Sequence, residues 1–293
     1  MKLVSYGPPG REKPGVLIDE DTIVGLPFPH LQALLKGGDD AMSEVRSMVQ
    51  DPATRGPLIP AHGQRLGPPI TNPSKIVGLG LNYHGHAAEQ NARLPKRPLL
   101  FAKASTALAG HRDCVWYPED ETNFDYEAEL AVVIGKPAFR IQREEWEQYV
   151  AGYTILNDVS ARDAQFADRK WFRGKSCDTS CPVGPWLVTR DDIPDPSALH
   201  ITATLNGELR QEGNTRDLVF SIPEILAFVT LNITLQPGDI IATGTPDGVG
   251  IFMDPPACMS PGDEVSVTIE KIGTLTNTVA ERTDLKPSVY PSP

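Results

Sequence analysis

A run of mostly apolar and β-branched residues extends from residue 126 to residue 134 and stops at Gly135. Such a run, closed by a glycine, predicts a β-strand. Side chains two positions apart in a strand point to the same face of the sheet. Glu127 and Glu129 are therefore predicted to lie side by side on one face, with apolar side chains on the opposite face.

A second strand is predicted over residues 154–157, and it ends next to Asp158. Carboxylates as close as those of Glu127 and Glu129 repel each other unless a cation or a shared proton relieves them. Three carboxylates without histidine or cysteine suit a hard cation such as Mg²⁺ or Mn²⁺. The pattern leaves one alternative open, in which the glutamate pair lies on the exposed face of an edge strand.

The first part of the chain is predicted to be a small unit of strands and helices. Its predicted strands cover residues 3–6, 15–18 and 22–24, and its helices cover residues 30–35 and 41–49. The interval 57–73 contains five prolines and is predicted to be a linker. We therefore predict a small N-terminal domain over residues 1–70 and a larger domain over residues 71–293.

The larger part is predicted to be mostly β, which makes the fold class mixed α/β with a majority of strands. Asn206-Gly207 predicts a two-residue hairpin turn. Ser221 and Glu224 form a capping box that opens a helix. Another helix is predicted over residues 140–150. Further strands are predicted over residues 75–80, 98–105, 201–205, 240–243, 265–269 and 273–279.

The net charge, the apolar runs and the cysteines of the chain limit the kinds of partner and location that we expect. The net charge of −11 over 293 residues argues against nucleic acid or an anionic membrane as the main partner. No apolar run approaches the length of a membrane span, and the first residues lack a signal-peptide core. The four cysteines form no paired motif, so we expect reduced thiols in a cytoplasmic protein.

His86 and Glu89 lie three residues apart in a segment of predicted helical character, so they share one face. A carboxylate can orient an imidazole and stabilise its protonated form, which makes the pair the minimal unit for removing a proton from water. The alternative is a solvated pair on an exposed helix face. His84 is a neighbouring histidine that complicates the assignment.

Cationic and amide side chains supply possible contacts to an anionic substrate. Lys103 lies at the end of a predicted strand, and Arg162 and Gln165 lie one turn apart on a predicted helix. Lys175 lies in a loop rich in glycine and serine, where a lysine is usually solvated, but near three carboxylates it can bind a substrate carboxylate or enolate. Lys175 is therefore a candidate for substrate binding.

A glycine-rich loop over residues 244–250 follows the predicted strand 240–243. Its backbone N–H groups and the Thr245 hydroxyl can present donors to an anion. The loop lacks the Lys-Ser/Thr ending of a P-loop, which argues against nucleotide binding.

Five groups of residues occur along the chain in the order Asn82-Tyr83-x-x-His86-x-x-Glu89, Asp125-Tyr126-Glu127-x-Glu129, Asn157-Asp158-Val-Ser-Ala-Arg162-Asp-x-Gln165, Gly174-Lys175-Ser and Gly238-Asp-x-Ile-x-Thr-Gly-Thr245-Pro. Together they resemble the fumarylacetoacetate hydrolase family over residues 71–282. The N-terminal part resembles, more weakly, a short extension of many bacterial-type members. The chain departs from the family at Gly85, where an acidic residue is common, and at Ala104, where proline is common.

The resemblance implies a mixed β-roll with a metal site at its mouth, and commonly a homodimer. It implies that Glu127, Glu129 and Asp158 bind Mg²⁺ or Mn²⁺. It also implies small-molecule substrates that are 2-oxo or 1,3-dioxo acids. The residues matched to substrate binding are Arg162, Gln165, Lys175 and Thr245, to which we add Lys103.

The leading hypothesis is a metal-dependent hydrolase that cleaves a C–C bond in a 2,4-dioxo acid of acylpyruvate type. His86, oriented by Glu89, removes a proton from water, while the metal and Lys175 stabilise the departing enolate. The alternatives are a lyase or isomerase on a 2-oxo acid (an oxaloacetate decarboxylase, a sugar-acid dehydratase or a 2-hydroxyhepta-2,4-diene-1,7-dioate isomerase) and a non-catalytic metal-binding relative. Residues 82–95 are predicted to form a lid.

Overall fold

The structure is a computed structural model that describes residues 1–283. The α-helices are α1 (Leu31–Lys36), α2 (Gly38–Gln50), α3 (His84–Glu89), α4 (Arg162–Asp168) and α5 (Ile222–Thr230). Short 3₁₀ helices cover Ser105–Ala107, Arg143–Tyr149, Arg190–Asp192, Pro196–Ala198, Thr215–Asp217 and Gly250–Phe252. Within the described residues no helix combines the length and the apolar character needed to cross a membrane.

Strands make up most of the regular structure. They are β1 (Lys2–Tyr6), β2 (Lys13–Leu17), β3 (Thr22–Gly25), β4 (Leu58–Pro60), β5 (Leu66–Gly67), β6 (Ile76–Gly80), β7 (Leu99–Lys103), β8 (Leu108–Ala109), β9 (Cys114–Tyr117), β10 (Phe124–Asp125), β11 (Ala128–Ile134), β12 (Val150–Asn157), β13 (Ser160–Ala161), β14 (Cys181–Thr189), β15 (His200–Leu205), β16 (Glu208–Asn214), β17 (Ile240–Ala242), β18 (Glu264–Ile269) and β19 (Gly273–Glu281). The predicted mostly β fold is confirmed.

The strand that carries Glu129 lies in the middle of the main sheet. This sheet has 12 strands, ten of which run in the order β4-β3-β2-β1-β14-β12-β11-β17-β6-β7. β11 is antiparallel to both β12 and β17, and every one of its seven residues is buried. The alternative of an exposed edge strand is therefore wrong, since Glu127 and Glu129 are only 5% and 1% exposed.

A second sheet of five strands, in the order β16-β15-β18-β19-β9, packs against the first. Leu130 of β11 shares one apolar cluster with Ile201 of β15 and Val267 of β18. Asn206 and Gly207 both have positive φ, at 53° and 81°, so the predicted hairpin turn between β15 and β16 is confirmed. The capping box that opens α5 is confirmed as well.

The N-terminal strands continue the main sheet. β1 is antiparallel to β14, and β2, β3 and β4 follow it outward. The interval predicted to be a linker instead contributes β4 and β5 to this sheet. Leu3 and Leu31 share an apolar cluster with Val133 of β11 and Ile240 of β17. The division at residue 70 stays a prediction, although sheet and core continue across it.

The α-helix predicted over residues 140–150 is wrong. Arg140 has a positive φ of 54°, which a continuous α-helix does not tolerate. A 3₁₀ helix covers Arg143–Tyr149 only, opened by a capping box between Gln142 and Glu145. Val150 already belongs to β12, where it pairs with Ile134. Of the apolar positions that suggested the helix, Val150 thus belongs to a strand, whereas Trp146 and Tyr149 lie in the 3₁₀ helix.

Candidate active site

Strand pairing brings the three predicted metal ligands together. β11 and β12 are antiparallel with Ala128 opposite Asn157, so Glu127 just before β11 meets Asp158 just after β12. The Asp158 backbone N–H donates to the Glu127 carbonyl at 2.9 Å. Carboxylate oxygens of Glu127, Glu129 and Asp158 lie within 4.8 Å of one another, and all three residues are buried.

Two buried lysines neutralise part of this carboxylate cluster. Lys175 Nζ donates to Glu127 Oε2 at 2.7 Å and to Asp158 Oδ2 at 2.6 Å. Lys103 Nζ donates to the other oxygen of Asp158 at 2.6 Å and to the Val159 carbonyl at 3.1 Å. Lys175 is 2% exposed, so it is not a solvated loop lysine. The substrate-binding role of Lys103 stays a prediction.

Arg162, at the first position of α4, connects the cluster to a fourth carboxylate. Its guanidinium donates to Asp125 Oδ2 at 2.8 Å, forms an ion pair with Glu127 Oε1 at 2.8 Å and donates to Gln165 Oε1 at 3.0 Å. Asp125 also accepts backbone N–H groups from Gly250 at 2.8 Å and Ile251 at 3.1 Å. The predicted pairing of Arg162 and Gln165 on one face is confirmed.

The environment separates the pKa values of the two glutamates. Burial raises the pKa of Glu127, but the charges of Lys175 and Arg162 outweigh burial and hold that pKa well below its ordinary value. Burial, followed by the charges of Asp158 and Glu127, raises the pKa of Glu129 well above its ordinary value. The Glu129 Oε2 atom accepts the Gly244 N–H at 2.8 Å. Glu129 is thus the carboxylate whose charge most needs a further cation.

The three carboxylates fit a hard divalent cation. Mg²⁺ lies about 2.1 Å from each oxygen ligand, so ligands on opposite sides of it are about 4.2 Å apart. The carboxylate oxygens of the cluster lie within 4.8 Å of one another, a span close to this value. Four carboxylates and three cations leave the site one formal negative charge. A divalent cation is compatible with this charge.

His86 and Glu89 form the predicted pair on α3. Their Nδ1 and Oε1 atoms are 2.5 Å apart. His86 is 6% exposed, so the alternative of a solvated helix face is wrong. The second oxygen of Glu89 accepts the Gly248 N–H at 2.8 Å, which fixes the carboxylate. The other ring nitrogen of His86, Nε2, lies 2.7 Å from the Gln90 amide nitrogen.

The glycine-rich loop after β17 donates to the protein's own carboxylates. Its N–H groups bind Glu129 through Gly244, Glu89 through Gly248 and Asp125 through Gly250. We expected these donors to be presented to a ligand anion, so the structure corrects that interpretation for these three. Thr245, in contrast, is one of the residues that line the cavity described next.

A cavity of about 210 Å³ extends from His86, of the His86–Glu89 pair (the dyad), to Glu127 of the carboxylate cluster. Phe101 and Trp171 form an edge-to-face pair with ring centroids 5.7 Å apart, and Lys175 Nζ lies 5.1 Å from the Phe101 ring centre. The cavity therefore combines a charged end with an aromatic wall. Its lining residues are Leu79, Gly80, Leu81, His86, Gln90, Phe101, Glu127, Arg162, Gln165, Phe166, Trp171, Lys175, Thr245 and Phe252.

Three polar residues of the site were not among the predicted site residues. Asp125 lies two positions before Glu127, a spacing that could have identified it. Gln90 lies four positions after His86, which is helical spacing. Gln211 gave no local signal, because its partners Ala128 and Thr245 are 83 and 34 residues away.

The chain is similar to known proteins over most of its length. Residues 75–280, well over half of the chain, match the family described as fumarylacetoacetate (FAA) hydrolase, C-terminal. A mitochondrial oxaloacetate tautomerase of Rattus norvegicus is 41% identical over 290 residues, covering 95% of this chain and 91% of the relative. The oxaloacetate tautomerase YisK of Bacillus subtilis is 47% identical over 219 residues, covering 73% of each chain.

Solved structures match over nearly the whole chain. The fumarylacetoacetate hydrolase of Exiguobacterium antarcticum is 35% identical with a TM-score of 0.85, covering 96% of this chain and 100% of its own. A maleylpyruvate hydrolase of Sphingobium sp. SYK-6, in complex with manganese(II) and pyruvate, is 31% identical with a TM-score of 0.80, covering 96% and 99%. The chain belongs to the fumarylacetoacetate hydrolase family.

Proposed function

We propose that this protein is a divalent-cation-dependent enzyme that interconverts the keto and enol forms of oxaloacetate. One observation carries the proposal: the proton acceptor His86 and the ammonium group of Lys175 line the same small cavity. Two relatives named oxaloacetate tautomerases, 41% and 47% identical to this chain, support the choice of substrate. The C–C hydrolase, our leading hypothesis from sequence, becomes the second candidate.

The tautomerisation moves one proton and shifts one double bond. In the keto-to-enol direction, His86 Nε2 accepts a proton from carbon 3, and the electron pair of that C–H bond forms the C2=C3 double bond. The C2 oxygen then takes up a proton from water, and the imidazolium returns its proton to water, so that no net proton is gained or lost. Glu89 stabilises the imidazolium that forms, because its carboxylate lies 2.5 Å from His86 Nδ1. Gln90 has to leave His86 Nε2 before this nitrogen can accept a proton.

The cationic end of the cavity matches a dicarboxylate. A divalent cation bound by Glu127, Glu129 and Asp158 would polarise the 2-oxo carbonyl and make the adjacent C–H more acidic. Bound there, it would turn the one formal negative charge of the site into one positive charge, which favours a dianion. Lys175 donates to the oxygen that gains negative charge, while Arg162, Gln165 and Thr245 hold carboxylate oxygens.

Hydrolysis of a 2,4-dioxo acid is the second candidate, because the same His86–Glu89 pair can take a proton from water. The resulting hydroxide attacks the distal carbonyl, and the C–C bond breaks with its electron pair leaving as the enolate of pyruvate. A maleylpyruvate hydrolase, 31% identical and in complex with manganese(II) and pyruvate, supports this candidate.

Assays on enol-oxaloacetate and, in parallel, on acetylpyruvate distinguish the tautomerase from the hydrolase. With Mg²⁺, we expect the unaltered protein to speed the loss of enol ultraviolet absorbance more than the Glu127→Ala variant does. Both proteins are assayed at the same Mg²⁺ concentration, so the variant measures the catalysis by free metal. Release of pyruvate from oxaloacetate would support a decarboxylase instead. Cleavage of acetylpyruvate without any effect on the enol would support the hydrolase. Inactivity on both substrates would contradict both proposals and favour a non-catalytic relative or another substrate.

A further inference from the structure

Gln211 connects the second sheet to strand β11, which carries Glu129, and to the glycine-rich loop, which carries Thr245. It lies on β16 and is fully buried. Its Oε1 accepts the N–H of Ala128, the residue between Glu127 and Glu129, at 2.9 Å. Its Nε2 lies 2.8 Å from Thr245 Oγ1 and 2.8 Å from the Pro246 carbonyl oxygen.

These partners leave only one orientation for the Gln211 amide. The backbone N–H of Ala128 can only donate, so the atom facing it is the oxygen. The carbonyl of Pro246 can only accept, so the atom facing it is the nitrogen. One hydrogen of Nε2 therefore goes to Pro246 and the other to Thr245 Oγ1.

The Thr245 hydroxyl consequently accepts from Gln211 and keeps its own proton for another partner. Within residues 1–283 the hydroxyl has no protein acceptor for this proton. Thr245 lines the cavity together with Arg162 and Lys175. We propose that Gln211 is a positioning residue that aims the Thr245 hydroxyl into the cavity as a hydrogen-bond donor to a carboxylate oxygen of the substrate.

This inference rests on the proposed function in one respect, namely that the ligand is a 2-oxo acid. Lys175 and Arg162 already form ion pairs with Glu127, whereas the Thr245 donor is free for a ligand oxygen. A carboxamide at position 211 is needed, because a carboxylate there would accept the Thr245 proton and turn the hydroxyl away from the cavity.

The test is calorimetric binding of oxalate in the presence of saturating Mg²⁺. We expect Gln211→Glu and Thr245→Val each to weaken oxalate binding about tenfold, the loss expected for one hydrogen bond to a charged group. The double variant should be no weaker than either single variant, because both remove the same donor. Thr245→Ser should retain binding within about twofold, since it keeps the hydroxyl.

The double variant also separates positioning from simple repulsion. If the new charge of Gln211→Glu repelled oxalate directly, the substitution would weaken binding further in the Thr245→Val background, which would overturn the proposal. Asn277→Asp is the matched control, because the Asn277 amide is also buried and donates to two carbonyls, those of Gly110 and Asp113, at 2.8 Å. It should lower the melting temperature without weakening oxalate binding.

Two further outcomes keep the inference falsifiable. If Gln211→Glu fails to fold, a crystal structure of the unaltered protein with Mg²⁺ and oxalate replaces it. We expect Thr245 Oγ1 within about 3.0 Å of an oxalate oxygen with the Gln211 contact retained; a separation beyond about 3.5 Å overturns the proposal. Failure of the unaltered protein to bind oxalate contradicts the proposed function itself, whereas unchanged binding by Gln211→Glu contradicts this inference alone.

Discussion

Asp158 accepts hydrogen bonds from the ammonium groups of two lysines that are far apart in the chain. Lys103 holds Oδ1 and Lys175 holds Oδ2, each at 2.6 Å. Both lysines are almost fully buried; the charge of Lys103 is compensated by Asp158, and that of Lys175 by Asp158 and Glu127. Lys175 reaches the cavity, whereas Lys103 is not among the residues that line it. Lys103 thus contacts the metal-ligand candidate Asp158 without lining the cavity.

Lys103→Met should destabilise the protein by about 3 kcal/mol, because it leaves a buried carboxylate oxygen without its cation. Mg²⁺ should restore part of that loss, since the variant carries one more formal negative charge near the metal ligands. Urea unfolding with and without Mg²⁺ measures both effects. Lys136→Met is the matched control: Lys136 pairs with Asp39 at the surface, where an ion pair contributes less than about 1 kcal/mol. Equal losses in both variants would contradict the account.

Glu89→Gln should lower kcat by roughly a hundredfold or more, with Mn²⁺ binding unchanged. The Gly248 N–H can only donate, so the new amide must turn its oxygen to Gly248 and its nitrogen to His86 Nδ1. The imidazole proton then moves to Nε2, which can no longer accept one. Steady-state kinetics on oxaloacetate measure the effect, with His84→Ala as an exposed neighbouring control. Full activity of Glu89→Gln would contradict the role of the Glu89 carboxylate in supporting His86 as the proton acceptor.

At the scale of elements, helix α3 and the glycine-rich loop fit closely. A Cβ atom at Gly85 would lie 2.0 Å from Asp247 Oδ1. The same loop fixes the dyad through the bond from Gly248 to Glu89. The absence of a side chain at position 85 thus lets the loop approach α3.

Gly85→Ala should change stability by less than about 1 kcal/mol, because the atom that the new methyl group meets is the end of the exposed Asp247 side chain, which can rotate away, and because alanine favours a helix more than glycine does. Adding Asp247→Ala should make the Gly85→Ala variant more stable, since the nearest remaining side-chain atom, Cβ, would lie 3.3 Å away. Asp247 is exposed, so Asp247→Ala alone should change stability by less than about 0.5 kcal/mol. Urea midpoints of the three variants test this. A double variant no more stable than Gly85→Ala would refute the clash.

Local patterns predicted the elements and most of the site. The strand around Glu129 and the helical spacing of His86 and Glu89 depend on neighbours in sequence, so their periodicity identified them. The helix predicted over residues 140–150 is wrong because Arg140 has a positive φ, only a 3₁₀ helix follows it, and Val150 pairs with Ile134. The role of Gln211 gave no local signal, since its side-chain contacts reach from one sheet to residues 83 and 34 positions away.

At the scale of the whole molecule, the N-terminal part and the family region share one sheet and one core. β1 pairs with β14, and Arg65 forms ion pairs with both Glu12 and Asp113. Independently folding domains exchange few such contacts. Homodimerisation and a cytoplasmic location stay predictions.

Deletion of residues 1–70 should abolish folding into a stable monomer. It removes β1 and exposes the edge of β14, together with the apolar residues that packed on Leu3 and Leu31. We expect aggregation in size-exclusion chromatography and loss of a cooperative thermal transition. A monodisperse fragment 71–293 with the melting temperature of the full chain would instead support the two-domain division.

The central claim is that the buried carboxylates bind one divalent cation, and a Mn²⁺ titration followed by electron paramagnetic resonance tests it most directly. Glu129→Gln is the sharpest variant, because it removes one charge, keeps the acceptor for the Gly244 N–H and leaves both lysines in place. We predict one Mn²⁺ per chain, a change in the spectrum when oxalate is added, and binding at least tenfold weaker in the variant. Equal Mn²⁺ binding by the two proteins would contradict the claim.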